Sequence, residues 1–263
     1  MRGERPSSPP LRFTCVRNPE MCIWDGARGA PVQLTQKEQD QQRFLAPCAA
    51  HAVYRAHVST PLPYRSLTDP GCLEEGVTWL SARLEAFRRA VAMLPPVETR
   101  ARPDGFEGLA RSIVSQQVST AAARAVLQRL EAADLMSEAG ILAASDETLR
   151  AAGVSRQKAR YLRGIAAAGI DYESLRWAPE DEALRILTAM PGVGRWTAEI
   201  YLMFSQARPD VFAAGDLGLQ HGARLLFDLT ERPSERDLRS LAERFAPWRT
   251  VAALLLWRYY DHV

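Results

Sequence analysis

The sequence is short of lysine, of cysteine beyond its first third, and of any long apolar run. Among 33 basic residues only Lys37 and Lys158 are lysines, so nearly every positive charge is a planar guanidinium fork, a shape that matches phosphate. The net charge is only +2, too small to argue for a polyanionic partner, although global balance says nothing of local patches. Cysteine is confined to Cys15, Cys22, Cys48 and Cys72, too few for a disulfide scaffold in 263 residues. Cys48 and His51 stand three apart, but no second close pair completes a zinc site. No run of about 18 apolar residues occurs, so no membrane-spanning helix is expected. Arg2 and Arg5 have no apolar stretch behind them, so a secretory leader is not expected either. A cytoplasmic protein is the expectation.

Eight of the 17 prolines, Pro6, Pro9, Pro10, Pro19, Pro31, Pro47, Pro61 and Pro63, fall in residues 1–69. They interrupt any long periodicity, which predicts a loosely ordered Pro-rich extension ahead of a domain over residues 70–263. From Cys72 the pattern turns helical. Val77, Leu80, Leu84, Phe87, Val91 and Leu94 share one helical stripe that Pro95 and Pro96 end. Asp104 opens a helix carrying Phe106, Leu109, Ala110, Ile113 and Val114. Ser119, Asp146 and Ser234 read as further helix starts. Pro179, followed by Glu180, Asp181 and Glu182, puts acids at the positive end of another helix. No strand alternation appears after residue 70, so the domain is expected to be all-α.

Two helical segments flank Gly192-Val193-Gly194 in LTAMPGVGRWTAEIYLMF, residues 187–204, and the acid Asp216 follows in DVFAAGDLGLQ. Two glycines permit a sharp turn, and free N–H groups at the start of a helix near Arg195 would form an anion site. A plain tight helix–helix turn fits the same residues. Asp216 reads as a reactive carboxylate or as the N-cap of LGLQHGARLLF. A shorter echo, AGVSRQKARYL at residues 152–162, repeats the Gly-Val-small-Arg pattern and brings Arg156, Lys158 and Arg160. It is either a second hairpin with a basic face or a solvated helix surface.

The motif L-x-x-x-P-G-V-G-R-W-T-A followed by V-F-A-A-G-D resembles the helix–hairpin–helix DNA glycosylases with a Gly/Pro-rich loop and aspartate, and within them the bacterial 3-methyladenine DNA glycosylase II group. FEGLARSIVSQQVSTAAARAVLQRL, LRAAGVSRQKARYLRGIA and FAPWRTVAALLLWRYY carry the resemblance across roughly residues 72–263. It implies two helical lobes around a DNA-binding cleft, a helix–hairpin–helix, and Asp216 as the catalytic aspartate. A carboxylate there stabilises the positive charge that develops on the sugar, or activates water. In relatives that cleave the strand, the position of Trp196 is a lysine nucleophile. An indole cannot form an imine, so base release without strand cleavage is expected.

The resemblance further implies a base pocket at Trp196 and Trp257, with Ile200 where relatives place a tyrosine and Tyr201 beside it. Aromatic walls suit electron-poor alkylated purines, although core packing is the alternative for both tryptophans, since Trp257 also continues the apolar run from Val251. Gln116 and Gln117 lie where relatives insert a side chain into the space a flipped base leaves, Gln117 matching the wedge. Gly192, Val193, Gly194 and Arg195 match the DNA-gripping hairpin, and the carbonyls of Thr188, Met190 and Val193 match positions that hold a monovalent cation, Na+ or K+. No other cofactor is expected, and with no cysteine after Cys72 the iron–sulfur loop of the endonuclease III branch is lacking. The partner implied is double-stranded DNA bearing alkylated bases, bound by a monomer. Relatives usually carry a proline where this loop reads Ala213-Ala214, which questions its rigidity. A lesion-binding protein without turnover, or a glycosylase for a different damaged base, are the rival readings.

Overall fold

The structure is a computed structural model that describes residues 65–263, with the side chain of Thr120 left aside, and two short segments nearer the N-terminus. Those segments, β1 (Ile23–Trp24) and β2 (Pro31–Val32), pair antiparallel with Ile23 opposite Val32. They belong to a unit of their own, residues 1–46. Residues 1–22, 25–30 and 33–64 of the proline-rich extension, with Cys48 and His51, lie outside the described residues. In the second unit, residues 47–263, packing already takes in Leu67, which is buried and donates its N–H to the Ala207 carbonyl at 2.8 Å.

From Cys72 the described chain is helical, as the periodicity predicts. The helices are α1 (Cys72–Arg83), α2 (Glu85–Met93), α3 (Gly105–Ser115), α4 (Thr120–Ala132), α5 (Glu138–Ala143), α6 (Asp146–Ala151), α7 (Arg156–Ala167), α8 (Tyr172–Trp177), α9 (Glu180–Thr188), α10 (Arg195–Phe204), α11 (Leu217–Leu226), α12 (Glu235–Ala242) and α13 (Arg249–His262). They fall into two packed groups. Helices α3 to α7 pack on one another and α10 lies against α3 and α9, while α1, α2, α11 and α12 gather with α13. No described helix is long and apolar enough to cross a membrane.

Capping explains most helix starts. Asp104, Ser119 and Ser234 each accept a first-turn N–H, which satisfies a donor the helix cannot. The start expected at Asp146 falls one residue earlier, on Ser145, whose side chain accepts from Thr148. The single stripe expected over residues 77–94 is two helices. Leu84 leaves helical geometry at φ −128°, ψ 110°, and beyond it Phe87 meets Phe227 and Phe245 edge-on at 5.8 and 5.3 Å. Aromatic packing against the C-terminal group thus overrides a continuous local period.

Two helices are buried on every side. Residues 197–204 of α10 and 250–257 of α13 are all buried, as befits elements enclosed by others. Each carries one of the two tryptophans expected in the site.

Candidate active site

The segment from Ser205 to Gly215 crosses the interior between α10 and α11 without regular structure, so its backbone groups need partners. Thr250, fully buried on α13, supplies several. Its hydroxyl accepts from Val211 N–H at 3.1 Å and is shared between the carbonyls of Arg208 and Val211, at 2.6 and 2.9 Å. Arg249 forks onto Asp210 at 2.8 and 3.0 Å, and Gln220 donates to the Ala214 carbonyl at 3.0 Å. Ala213 and Ala214 are completely buried. The loop is therefore held by packing and side-chain hydrogen bonds where a proline is absent.

That loop delivers Asp216 to the start of α11. Oδ1 accepts the Leu219 N–H at 3.0 Å, which makes Asp216 the N-cap, and it also accepts the Trp257 indole N–H at 2.9 Å. Oδ2 accepts the Trp196 indole N–H at 3.1 Å. The N-cap reading of Asp216 therefore holds, and the cap engages Oδ1 while Oδ2 faces the Trp196 indole. Three N–H donors thus fix the orientation of the carboxylate at the start of α11. A Cβ at position 218 would lie 3.0 Å from Trp257 Cδ1 and 3.1 Å from Asp216 Oδ1, so Gly218 is what permits the close approach.

The two indoles differ. Trp257 is 9% exposed, with Phe204 5.7 Å from its ring and the Arg100 guanidinium 5.6 Å away. It is part of the core and also bonds Asp216. Trp196 is 42% exposed, which makes it the available flat surface beside the carboxylate. Ile200 and Tyr201 are buried, and the Tyr201 hydroxyl donates to Asp104 and accepts from Gly105 N–H. Burial and the Asp104 charge push its phenol far above the ordinary value. The structure thus joins Trp196 and Trp257 to Asp216, and commits the polar end of Tyr201 to the start of α3.

The turn between α9 and α10 is built on glycine. Gly192 has φ 80°, and a Cβ there would fall 2.3 Å from the Tyr161 ring. Pro191 is pressed against Gly164, which seats the hairpin on α7. Val193 is buried and its N–H reaches the Met190 carbonyl at 3.1 Å. Gly194 then begins α10 with no side chain capping it and nothing within 4 Å of where a Cβ would stand. The first-turn N–H groups therefore have no side-chain cap at this helix start. The echo at residues 152–155 repeats the backbone, with Gly153 at φ 89° and Val154 buried. Its helix start, however, is closed by Ser155, which accepts the Lys158 N–H at 3.3 Å. Only the second hairpin offers an uncapped end.

Gln116 and Gln117 have separate fates. The Gln116 amide donates to the Gly192 carbonyl at 2.9 Å and to the Thr197 hydroxyl at 3.2 Å. Lys158, expected on a basic face, caps α3 instead by donating to the carbonyls of Val114 and Gln116, both at 2.8 Å. Gln117 is exposed with φ 56°, a region uncommon for a residue with a side chain, and stands at the tip of this braced loop.

Two helices joined by a glycine hairpin, a buried loop and an indole-bound aspartate form a recognisable set. The family described as HhH-GPD superfamily base excision DNA repair protein matches residues 110–247. The chain belongs to this superfamily. It is 32% identical over 191 residues to DNA-3-methyladenine glycosylase 1 of Schizosaccharomyces pombe, covering 68% of this chain and 84% of that protein. Among solved structures, the S. pombe 3-methyladenine DNA glycosylase Mag1 in complex with abasic DNA superposes with a TM-score of 0.61 at 31% identity, covering 70% of this chain and 95% of that one. The DNA-3-methyladenine glycosidase of Bacillus halodurans gives 0.64 at 33% identity, covering 76% and 93%.

One part of this HhH-GPD site escaped the sequence reading. Glu199, 1% exposed on α10, takes Arg195 and Arg239 on a single oxygen, both at 2.8 Å. Arg239 continues to Glu235 at 3.0 Å, and Glu235 lies against Gly215, 3.3 Å from where a Cβ there would stand. A chain of charges therefore links the hairpin to the residue before Asp216. Its one sequence signal was a carboxylate inside the otherwise apolar AEIYLMF.

Proposed function

We propose that this HhH-GPD protein is a monofunctional DNA glycosylase that hydrolyses the N-glycosidic bond of alkylated purines, of the 3-methyladenine type, in duplex DNA. The observation that carries this is the Asp216 carboxylate held by the Trp196 and Trp257 indoles. The target nucleotide leaves the stack at a cost of a few kcal/mol, Gln117 enters the vacated space, and Trp196 stacks on the extruded base. As the bond between C1′ and the base nitrogen lengthens, the electron pair leaves with the base and positive charge builds on the sugar. Asp216 stabilises that charge and orients a water molecule. The water oxygen bonds to C1′ as one of its O–H bonds breaks and the proton passes by way of Asp216 to solvent. The cationic alkylated base, having taken the C–N electron pair, leaves neutral, and an abasic site remains. With tryptophan in place of lysine, the site supplies no amine for a covalent intermediate.

The uncapped start of α10 receives a backbone phosphate through N–H groups, contact that carries no sequence preference. A Na+ or K+ ion at the carbonyls of Thr188, Met190 and Val193 would add a positive charge there. Of those three carbonyls, Met190's already accepts the Val193 N–H, which leaves it one lone pair for an ion. The protein acts as a cytoplasmic monomer without an iron–sulfur cluster.

Base release from methylated duplex DNA tests the reading. Asp216→Asn should lower the single-turnover rate by about 10²-fold or more. An unchanged rate removes Asp216 from catalysis. Wild-type protein that binds abasic duplex tightly yet releases no base would favour lesion binding without turnover.

A further inference from the structure

The hydrolysis described above leaves one side of Trp257 without a role. Arg102 lies over Phe204, 5.1 Å from its ring centre, Phe204 packs on Trp257 at 5.7 Å, and Arg100 lies over Trp257 at 5.6 Å. Both arginines are exposed and belong to the segment joining α2 to α3, which is tied down where Arg102 N–H meets the Phe204 carbonyl at 3.0 Å. Among the described residues neither has a carboxylate within ion-pair distance, and neither does Arg258 on α13. The arginines around the hairpin and loop, Arg195, Arg239 and Arg249, are all paired. Desolvation and the neighbouring Arg100 charge hold the Arg102 guanidinium below its ordinary value. A cavity of about 160 Å³ opens beside this stack, lined by Arg100, Arg258, Thr99, Leu254 and one carboxylate, Glu98.

Two like charges fixed on aromatic faces, without counter-ions among the described residues, repel each other until an anion arrives. Their place identifies the anion. The indole beneath Arg100 is the one bonded to Asp216, and the sugar that reacts at Asp216 is flanked on both sides by phosphodiesters. We infer that Arg100 and Arg102, with Arg258 across the cavity, form a phosphodiester subsite for the strand next to the extruded nucleotide. The aromatic faces pre-orient the guanidinium forks for bidentate contact. The inference rests on the proposed reading of Asp216 but is tested by binding alone.

The probe is a duplex with a tetrahydrofuran abasic analogue, titrated by fluorescence anisotropy between about 50 and 200 mM salt. Arg100→Gln, Arg102→Gln and Arg258→Gln should each weaken binding, and each lost phosphate contact should flatten the slope of log affinity against log salt by about 0.9. Arg100→Lys should restore the slope, which a packing role would not require. A neutral methylphosphonate at a linkage flanking the analogue should weaken wild type by about tenfold, yet barely affect the Arg100→Gln/Arg102→Gln double variant. Unchanged slopes, or a methylphosphonate effect equal in both proteins, overturn the subsite. Wild type that binds this duplex as expected but releases no methylated base overturns the glycosylase reading alone, and wild type that does not bind it overturns both.

Discussion

Trp257 donates its indole N–H to Oδ1 of Asp216 at 2.9 Å, joining residues 41 positions apart. The same oxygen caps α11, so the carboxylate is oriented from the helix that follows it and from the last helix of the described chain. A hydrogen bond to a charged group contributes about 1.5–3 kcal/mol, enough to select one orientation of a small side chain.

Trp257→Phe keeps a ring between Phe204 and Arg100 but removes the donor. The single-turnover rate of base release should fall about tenfold, equivalent to about 1.4 kcal/mol, while affinity for abasic duplex stays within about twofold. Equal loss in rate and affinity would mean that the indole acts in packing and not on Asp216.

Gly192 and Gly194 should respond differently to alanine. At Gly192 a left-handed φ and the Tyr161 ring both oppose a Cβ, and Gly192→Ala should cost about 2–4 kcal/mol in urea unfolding. Gly194→Ala meets open space at φ −82° and should cost under about 1 kcal/mol. Matching stabilities would contradict the hairpin geometry.

The adjacent glutamines separate by assay. Gln117→Ala should weaken binding to lesion duplex about tenfold while leaving single-strand binding nearly unchanged, because only the duplex loses the wedge. Gln116→Ala releases the Gly192 carbonyl and should lower stability by about 1 kcal/mol. A Gln117 effect of the same size on both DNAs would sink the wedge.

The Glu199 network predicts a graded loss. Glu199→Ala removes the oxygen that Arg195 and Arg239 share, while Arg239 keeps Glu235, and should destabilise by about 1.5–3 kcal/mol. Glu199→Gln keeps an acceptor of the same shape and should cost roughly half of that. If both fall within about 0.5 kcal/mol of wild type, as exposed substitutions do, the buried charge has another partner.

Local signals proved the most legible. Asp104, Ser119 and Ser234 announce helices because a cap acts within three residues of itself. Gly192 was readable as a turn for the same reason, since its backbone demand is its own. The break at Leu84 was not, because the rings that reward it, Phe227 and Phe245, come more than a hundred residues later. The partner of the Tyr201 hydroxyl was not legible either, because Asp104 lies 97 residues upstream. Lys158 fits a basic face or a solvated surface in the sequence, and its actual partners, the Val114 and Gln116 carbonyls at the end of α3, lie more than 40 residues upstream.

By itself, then, the sequence determined the helical class, the hinge, the carboxylate and the absence of a lysine at Trp196, because composition, period and glycine geometry act locally. Only the tertiary structure decided which hairpin stays open, which tryptophan is free to stack, and that two indoles converge on Asp216. Those outcomes depend on which partners reach each polar atom first, and the partners lie on distant helices that a linear pattern does not bring together.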